Sequence, residues 1–197
     1  MIMSRLGNEL FRKAIHLIAL IVPISYSLYG KHFTLLLVGT GLAIAAMVEI
    51  LKKFLQRFFN KFESMFGHLL RPHELTGITG ATYLLLSSFI CVLFFDQWIA
   101  LVCLYFLLIA DALGALVGRL WGKHYIFHHR SYEGCFVFLI ACFVIVFTVP
   151  GVPLLLAIPG VVVAFLIDVY VQGVDDNLTI PVGAGLFMQL MQIFFGN

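Results

Sequence analysis

Polar and apolar positions fall in blocks along this chain. Seven apolar stretches follow one another, at about Ala14 to Tyr29, Thr34 to Leu51, Gly77 to Phe95, Trp98 to Leu116, Gly134 to Val149, Leu154 to Val171 and Leu178 to Phe195. Each approaches the roughly 20 mostly apolar residues that a membrane-crossing helix needs. Pro150 and Pro153 mark the break between the fifth and sixth. The pattern predicts an all-α polytopic membrane protein with about seven transmembrane helices, built as a single integral membrane domain over residues 1–197.

One connection breaks the block pattern. In KKFLQRFFNKFESMFGHLL, residues 52–70, Phe54, Leu55, Phe58, Phe59, Phe62, Phe66 and Leu69 recur at helical spacing. Lys52, Lys53, Gln56, Arg57, Asn60, Lys61 and Ser64 fall on the other side. A helix lying in the headgroup plane has this pattern. The reading is a cytoplasmic amphipathic interfacial helix, acting as an anchor or as a gate for a lipid substrate.

Composition agrees with a membrane location. The chain is 62% hydrophobic and 11% charged, against about 25% charged in soluble domains. Its mean hydropathy is +1.05. Net charge, +2, says little about partners, whereas its distribution says more. Arg5, Arg12 and Lys13 precede the first stretch, Lys52, Lys53, Arg57, Lys61 and Arg71 follow the second, and Arg119, Lys123 and Arg130 follow the fourth. Only Lys31 falls in an alternate loop. The positive-inside rule then places the N-terminus in the cytoplasm, and seven spans place the C-terminus on the opposite side. MIMSRLGNELFRK is charged and amphipathic and leads into a spanning stretch, so it does not read as a cleavable signal peptide. Cys91, Cys103, Cys135 and Cys142 lack CxxC spacing and read as buried free thiols.

Ionisable residues in a bilayer are costly and mark functional interiors. Asp111 lies in LLIADALGALVGRLWGK and Asp168 in AFLIDVYVQG. Glu133 opens the fifth stretch, and Asp175 and Asp176 precede the seventh. In the expected topology these acids share the cytoplasmic side with Arg12, Lys13, His16, Arg71, Lys123 and Arg130. Carboxylates hold Mg²⁺ through oxygen and leave positions for phosphates, and cations clamp the remaining phosphate oxygens. The far half of the spans offers no matching polar residues in this reading, which argues against a channel or transporter. Gly114, Gly118 and Gly122 form one stripe at every fourth position, suited to close helix packing. Gly122 before Lys123 also suits a loop approaching phosphates, although the string is no Walker A motif. TGITGATY, with Gly77 and Gly80, suits backbone amides near an anion at a helix start. His124, His128 and His129 read as solvated loop histidines, while His16 shares a helix face with Lys13.

Taken together, RKAIH, RPHELTGITGATYLLLS, ADALGALVGRLWGKH, RSYEGC and DDNLTIP resemble the CTP-dependent polyprenol kinases: dolichol kinase, phytol kinase and the fungal-type diacylglycerol kinase. That family is distantly similar to phosphatidate cytidylyltransferase. The resemblance spans most of the chain. It rests on Arg12, Lys13 and His16, on Thr79 to Tyr83, on Asp111 and Lys123, on Ser131, Glu133 and Gly134, and on Asp175, Asp176 and Asn177. Departures are Ala110 where a Gly precedes the Asp, Arg130 for Lys, Cys135 for Ser, and Asp168 where the family often has Glu. Arg for Lys keeps charge but changes its geometry.

The resemblance implies Mg²⁺-dependent transfer of the terminal phosphate of a nucleoside triphosphate, CTP, to the hydroxyl of a polyprenol or dolichol-type alcohol held in the bilayer. Asp111, Asp175 and Asp176 would hold Mg²⁺. Asn177, Lys123, Arg130, Ser131, Arg12, Lys13, His16, Thr79 and Gly80 would bind the nucleotide. Asp168 or Glu133 would take the proton from the alcohol, and Asp176 would act with them in catalysis. Nucleic acid is not an expected partner. Diacylglycerol or phytol as acceptor, CDP-lipid synthesis, and a cation-coupled transporter remain the alternatives.

Overall fold

The computed structural model describes residues 15–54, 77–127, 130–171 and 173–196. The described chain is mostly helical. Helix α1 is Ile21–Phe54, α2 Gly80–Phe94, α3 Gln97–Tyr105 and α4 Asp111–Trp121. A π-helical turn, Phe106–Ala110, joins α3 to α4. Then follow strands β1 Tyr125–Phe127 and β2 Arg130–Ser131, and helices α5 Tyr132–Thr148, α6 Leu154–Tyr170 and α7 Asp176–Phe195. The small antiparallel hairpin, with Tyr125 opposite Ser131 and Phe127 opposite Arg130, is absent from the all-α expectation.

Among the described residues, three helices are long and apolar enough to cross a membrane: the run Ile15–Leu51, the continuous Gln97–Trp121, and Asp176–Phe195. Gly80–Phe94, Tyr132–Thr148 and Leu154–Tyr170 are shorter apolar helices. Of the amphipathic segment at 52–70, residues 52–54 continue α1, and the remainder lies outside the described residues. Arg12, Lys13, Arg71, His128 and His129 also lie outside them.

The longest run is not straight. Gly30 has φ 77 and ψ −174, a conformation glycine tolerates because it lacks a Cβ. The contacts show a reversal there. The Lys31 ammonium bonds the Leu93 carbonyl at 2.7 Å, while Glu49 bonds Thr79 at 3.0 Å. The arm after Gly30 therefore runs antiparallel to α2. Before Gly30, Ala19 and Leu20 pack with Leu84, Leu107 and Leu108, and Gln97 Nε2 reaches the Tyr26 carbonyl at 3.4 Å. The first arm thus descends and the second returns. The sequence pattern leaves residues 30–33 between its first two stretches, and the structure makes the reversal at Gly30.

The starts of α2, α5 and α7 are fixed by oxygen-bearing caps, which satisfy amides that have no partner within the helix. Thr79 caps α2, Ser131 caps α5 and Asp175 caps α7. All three starts gather at one end of the bundle, as the contacts of Asn177 with Gly80 and of Arg130 with Asp176 show. Their aligned peptide dipoles favour negative charge at that end.

Small residues allow the helices to come close. A Cβ added to Gly134 would lie 2.6 Å from the Gly114 carbonyl oxygen and 3.0 Å from Gly118 Cα. The Gly114 and Gly118 stripe is therefore the seam between α4 and α5. Gly122 belongs to it as well, against Ser131. Below the seam the core is apolar, with Phe106, Leu107, Leu108, Phe138, Ile180 and Met188 fully buried. Cys91, Cys103, Cys135 and Cys142 are free and buried, as expected.

Candidate active site

Arg130 organises the polar end. β2 carries it to the head of α5, and Ser131 directly behind it caps that helix, accepting from the Gly134 amide at 3.1 Å. The guanidinium Nη2 lies 2.6 Å from Asp168 Oδ1, 3.4 Å from Asp111 Oδ1 and 3.5 Å from Asp176 Oδ2. Three helices thus supply one carboxylate each: α4 at its first residue, α6 near its end and α7 at its first residue. Asp111 and Asp168 are buried, at 1% and 6% exposure. Burial alone would lower the pKa of Arg130, but Asp111, Asp168 and Asp176 outweigh it and the net direction is upward. The guanidinium thus ties the starts of α4 and α7 to the end of α6.

The other expected site residues divide into neighbours and supports. Asn177 is buried at 1% exposure. Its amide nitrogen Nδ2 donates to the Gly80 carbonyl at 3.2 Å, and among the described residues its Oδ1 has no hydrogen-bond partner. Asp175 is the α7 cap, its Oδ1 accepting from the Asn177 amide at 3.0 Å. Asp175, expected as a metal ligand, serves here as a helix cap, while Asp168 meets Arg130 together with Asp111 and Asp176. Thr79 and Gly80 are likewise engaged in holding helices together. Ser131 is buried against Gly118 and Gly122.

Glu133 ties the hairpin down. Its Oε1 accepts from the Lys123 amide at 3.2 Å and meets His124 Nδ1 at 3.1 Å. Its own backbone amide, then His124 and the Lys123 amide, lower its pKa to about 2. A carboxylate so stabilised is a weak base. Lys123 is exposed, held through its backbone. His16 is buried, three residues before the Ala19–Leu20 contact.

Two features escape the sequence reading. Glu49 accepts from the Thr79 amide and the Thr82 hydroxyl at 3.0 and 3.2 Å. The anion at the TGITGATY helix start is therefore a carboxylate of this chain. A signal was present, since Glu49 is the only acid in the second apolar stretch. At the opposite end Gln189 and Asp96 bond reciprocally, at 2.8 and 3.2 Å. The far half is therefore not free of polar side chains, contrary to the sequence reading. Gln189 follows Asp176 by 13 residues, about 20 Å along a helix, a separation that one-dimensional hydropathy hides.

Comparison of the chain with protein-family models, with curated proteins and with solved structures finds no match.

Proposed function

We propose that this protein is a membrane lipid kinase, transferring the terminal phosphate of a nucleoside triphosphate, CTP, to the hydroxyl of a long isoprenoid alcohol. The observation that carries the reading is the convergence of Asp111, Asp168 and Asp176 on Arg130 at one end of an apolar helix bundle. The sequence resemblance supplies the substrate classes. The two arms of α1 count as two crossings in this reading, and α2, the Gln97–Trp121 run, α5, α6 and α7 make seven. The Lys and Arg distribution puts the carboxylate end in the cytoplasm, where a nucleotide is at hand.

The donor set fits Mg²⁺ in kind. Carboxylate oxygens and the buried Asn177 Oδ1 are hard ligands. As arranged, the guanidinium stands among the three carboxylates, and among the described residues no three His, Cys, Asp or Glu form a group spaced for a metal. Asp111, Asp176 and Asn177 are the residues to hold the ion once Arg130 turns away, with Asp175 beside them as the cap of the same helix. Bound Mg²⁺ would supply neutralising charge to the phosphates.

The chain's own groups then have distinct tasks. Arg130 turns from the carboxylates to the triphosphate oxygens, a planar fork suited to phosphate. Lys123 adds a second cation from the hairpin. The acceptor oxygen forms a bond to the terminal phosphorus as the bridging P–O bond breaks. The nucleoside diphosphate leaves, and the hydroxyl proton passes to a carboxylate. Asp168 suits that role better than Glu133, which is committed to the hairpin and weakly basic. The alcohol's tail remains among the exposed apolar side chains of the bundle.

The test is label transfer with purified protein in detergent and Mg²⁺. γ-Labelled CTP, ATP, GTP and UTP are supplied in turn against polyprenols, phytol, short isoprenols and diacylglycerol. Label in a lipid identifies donor and acceptor. Label entering lipid only from α-labelled CTP with phosphatidate would replace the kinase reading with CDP-lipid synthesis. Cation-driven uptake in vesicles without turnover would replace it with transport.

A further inference from the structure

Glu49 lies where a carboxylate is expensive, between the exposed apolar side chains of Val48 and Ile50 near the end of α1. Its Oε1 accepts from the Thr79 amide at 3.0 Å and from the Thr82 hydroxyl at 3.2 Å. With the Thr82 hydroxyl so committed, Thr79 is the donor in the 3.0 Å hydroxyl pair between the two threonines. The Thr79 oxygen in turn accepts from the Thr82 amide at 3.4 Å. These bonds close a ring that fixes the first turn of α2 to the end of α1. The helix start offers partial positive charge to the same carboxylate.

The residue after Thr79 hands this fixation on. The Gly80 carbonyl accepts from Asn177 Nδ2, and Asn177 follows Asp176, which meets Arg130. An unbroken series of bonds runs from Glu49 through Thr79, Gly80 and Asn177 to the first turn of α7. We infer that Glu49 is a positioning residue for the carboxylate site, setting the height of α7 and hence of Asp176 relative to Asp111 and Asp168. Its importance for turnover rests on the kinase reading. Its effect on the arrangement of α2 and α7 does not.

The experiment separates the two. In the full chain, Ile78→Cys and Val174→Cys place spin labels just before α2 and α7, at positions 47% and 51% exposed. The four native cysteines are buried and react slowly. The interlabel distance distribution is narrow in the parent. Glu49→Ala and Glu49→Asp, whose carboxylate is one methylene short, broaden it. Glu49→Gln keeps the acceptor oxygen and restores the narrow distribution. In the label-transfer assay Glu49→Ala and Glu49→Asp lower kcat about tenfold or more, with nucleotide KM changed less than about twofold, as expected of a misplaced group that does not touch substrate. An unchanged distribution in Glu49→Asp overturns the inference, as does broadening by Glu49→Gln equal to that by Glu49→Asp. Broadening with full turnover overturns the link to the site. Broadening in the variants with no turnover in the parent upholds the positioning and sinks the kinase reading instead. Glu49→Asp and Glu49→Gln keep the question open to decision should Glu49→Ala fail to fold.

Discussion

Arg130 and Asp168, 38 residues apart in sequence, meet at 2.6 Å between Nη2 and Oδ1. One lies on a two-residue strand and the other near the end of an apolar helix. The pair joins the hairpin to the bundle, and Asp111 and Asp176 reach the same guanidinium. A buried ion pair of this kind is weak evidence for net stability, but breaking it from one side is costly.

Arg130→Ala is therefore expected to destabilise the protein by about 2 kcal/mol, because it removes the cation that joins the hairpin to α4, α6 and α7. Adding Asp168→Asn to Arg130→Ala should recover part of the loss. Thermal unfolding in detergent reads both. Additive losses in the double variant would show that the two side chains are not energetically coupled.

Gly134→Ala is expected to separate α4 from α5, since its Cβ would meet the Gly114 carbonyl oxygen at 2.6 Å. The obstacle is backbone on both sides, so a loss of about 1–3 kcal/mol follows. Gly39→Ala meets only the Phe89 ring edge at 3.4 Å and should be tolerated. Equal midpoints for the two variants in thermal unfolding would refute the seam.

Glu133 gives a pH signature. Its folded pKa, about 2, lies below the roughly 4.3 of an unfolded glutamate. Its contribution is therefore fully present above about pH 4.3 and lost as pH falls through about 2. Hydrogen exchange at the Lys123 amide should be faster in Glu133→Gln than in the parent at neutral pH. The difference should shrink on acidification toward pH 2. A difference that appears only in acid would reverse the sign and exclude the assigned bond.

For turnover, Asp176→Asn should lower kcat by about a hundredfold or more while the protein still folds and inserts, since phosphoryl transfer depends on charge placed against the phosphates. Lys123 is exposed and should be dispensable for folding. Lys123→Ala should raise nucleotide KM about tenfold by the loss of one charge-assisted contact. Wild-type kinetics in either variant would remove that residue from the proposed machinery.

The blocks of apolar residues were enough to place the helices, because burying or lipid-solvating some 16 to 20 consecutive apolar residues leaves helix as the structure that satisfies its own backbone. The same one-dimensional reading singled out Asp111, Asp168, Asp176 and Arg130 as candidates, since charge is conspicuous in so apolar a chain, and the structure brings the four together. It passed over Glu49, equally conspicuous, for want of a motif around it. What the sequence left open was pairing. Ser131, Thr79 and Asp175 carry oxygens that suit a ligand or a helix cap equally well, and only the local backbone makes them caps. Asp175 and Asp176 are adjacent, yet helix geometry turns one to the α7 cap and the other to Arg130. The reversal at Gly30, the meeting of Asp96 with Gln189 and the convergence of Asp111, Asp168 and Asp176 on Arg130 depend on contacts between segments far apart in the chain. Tertiary packing decides those, because a local pattern fixes which face a residue takes on its own helix but not which helix lies against it.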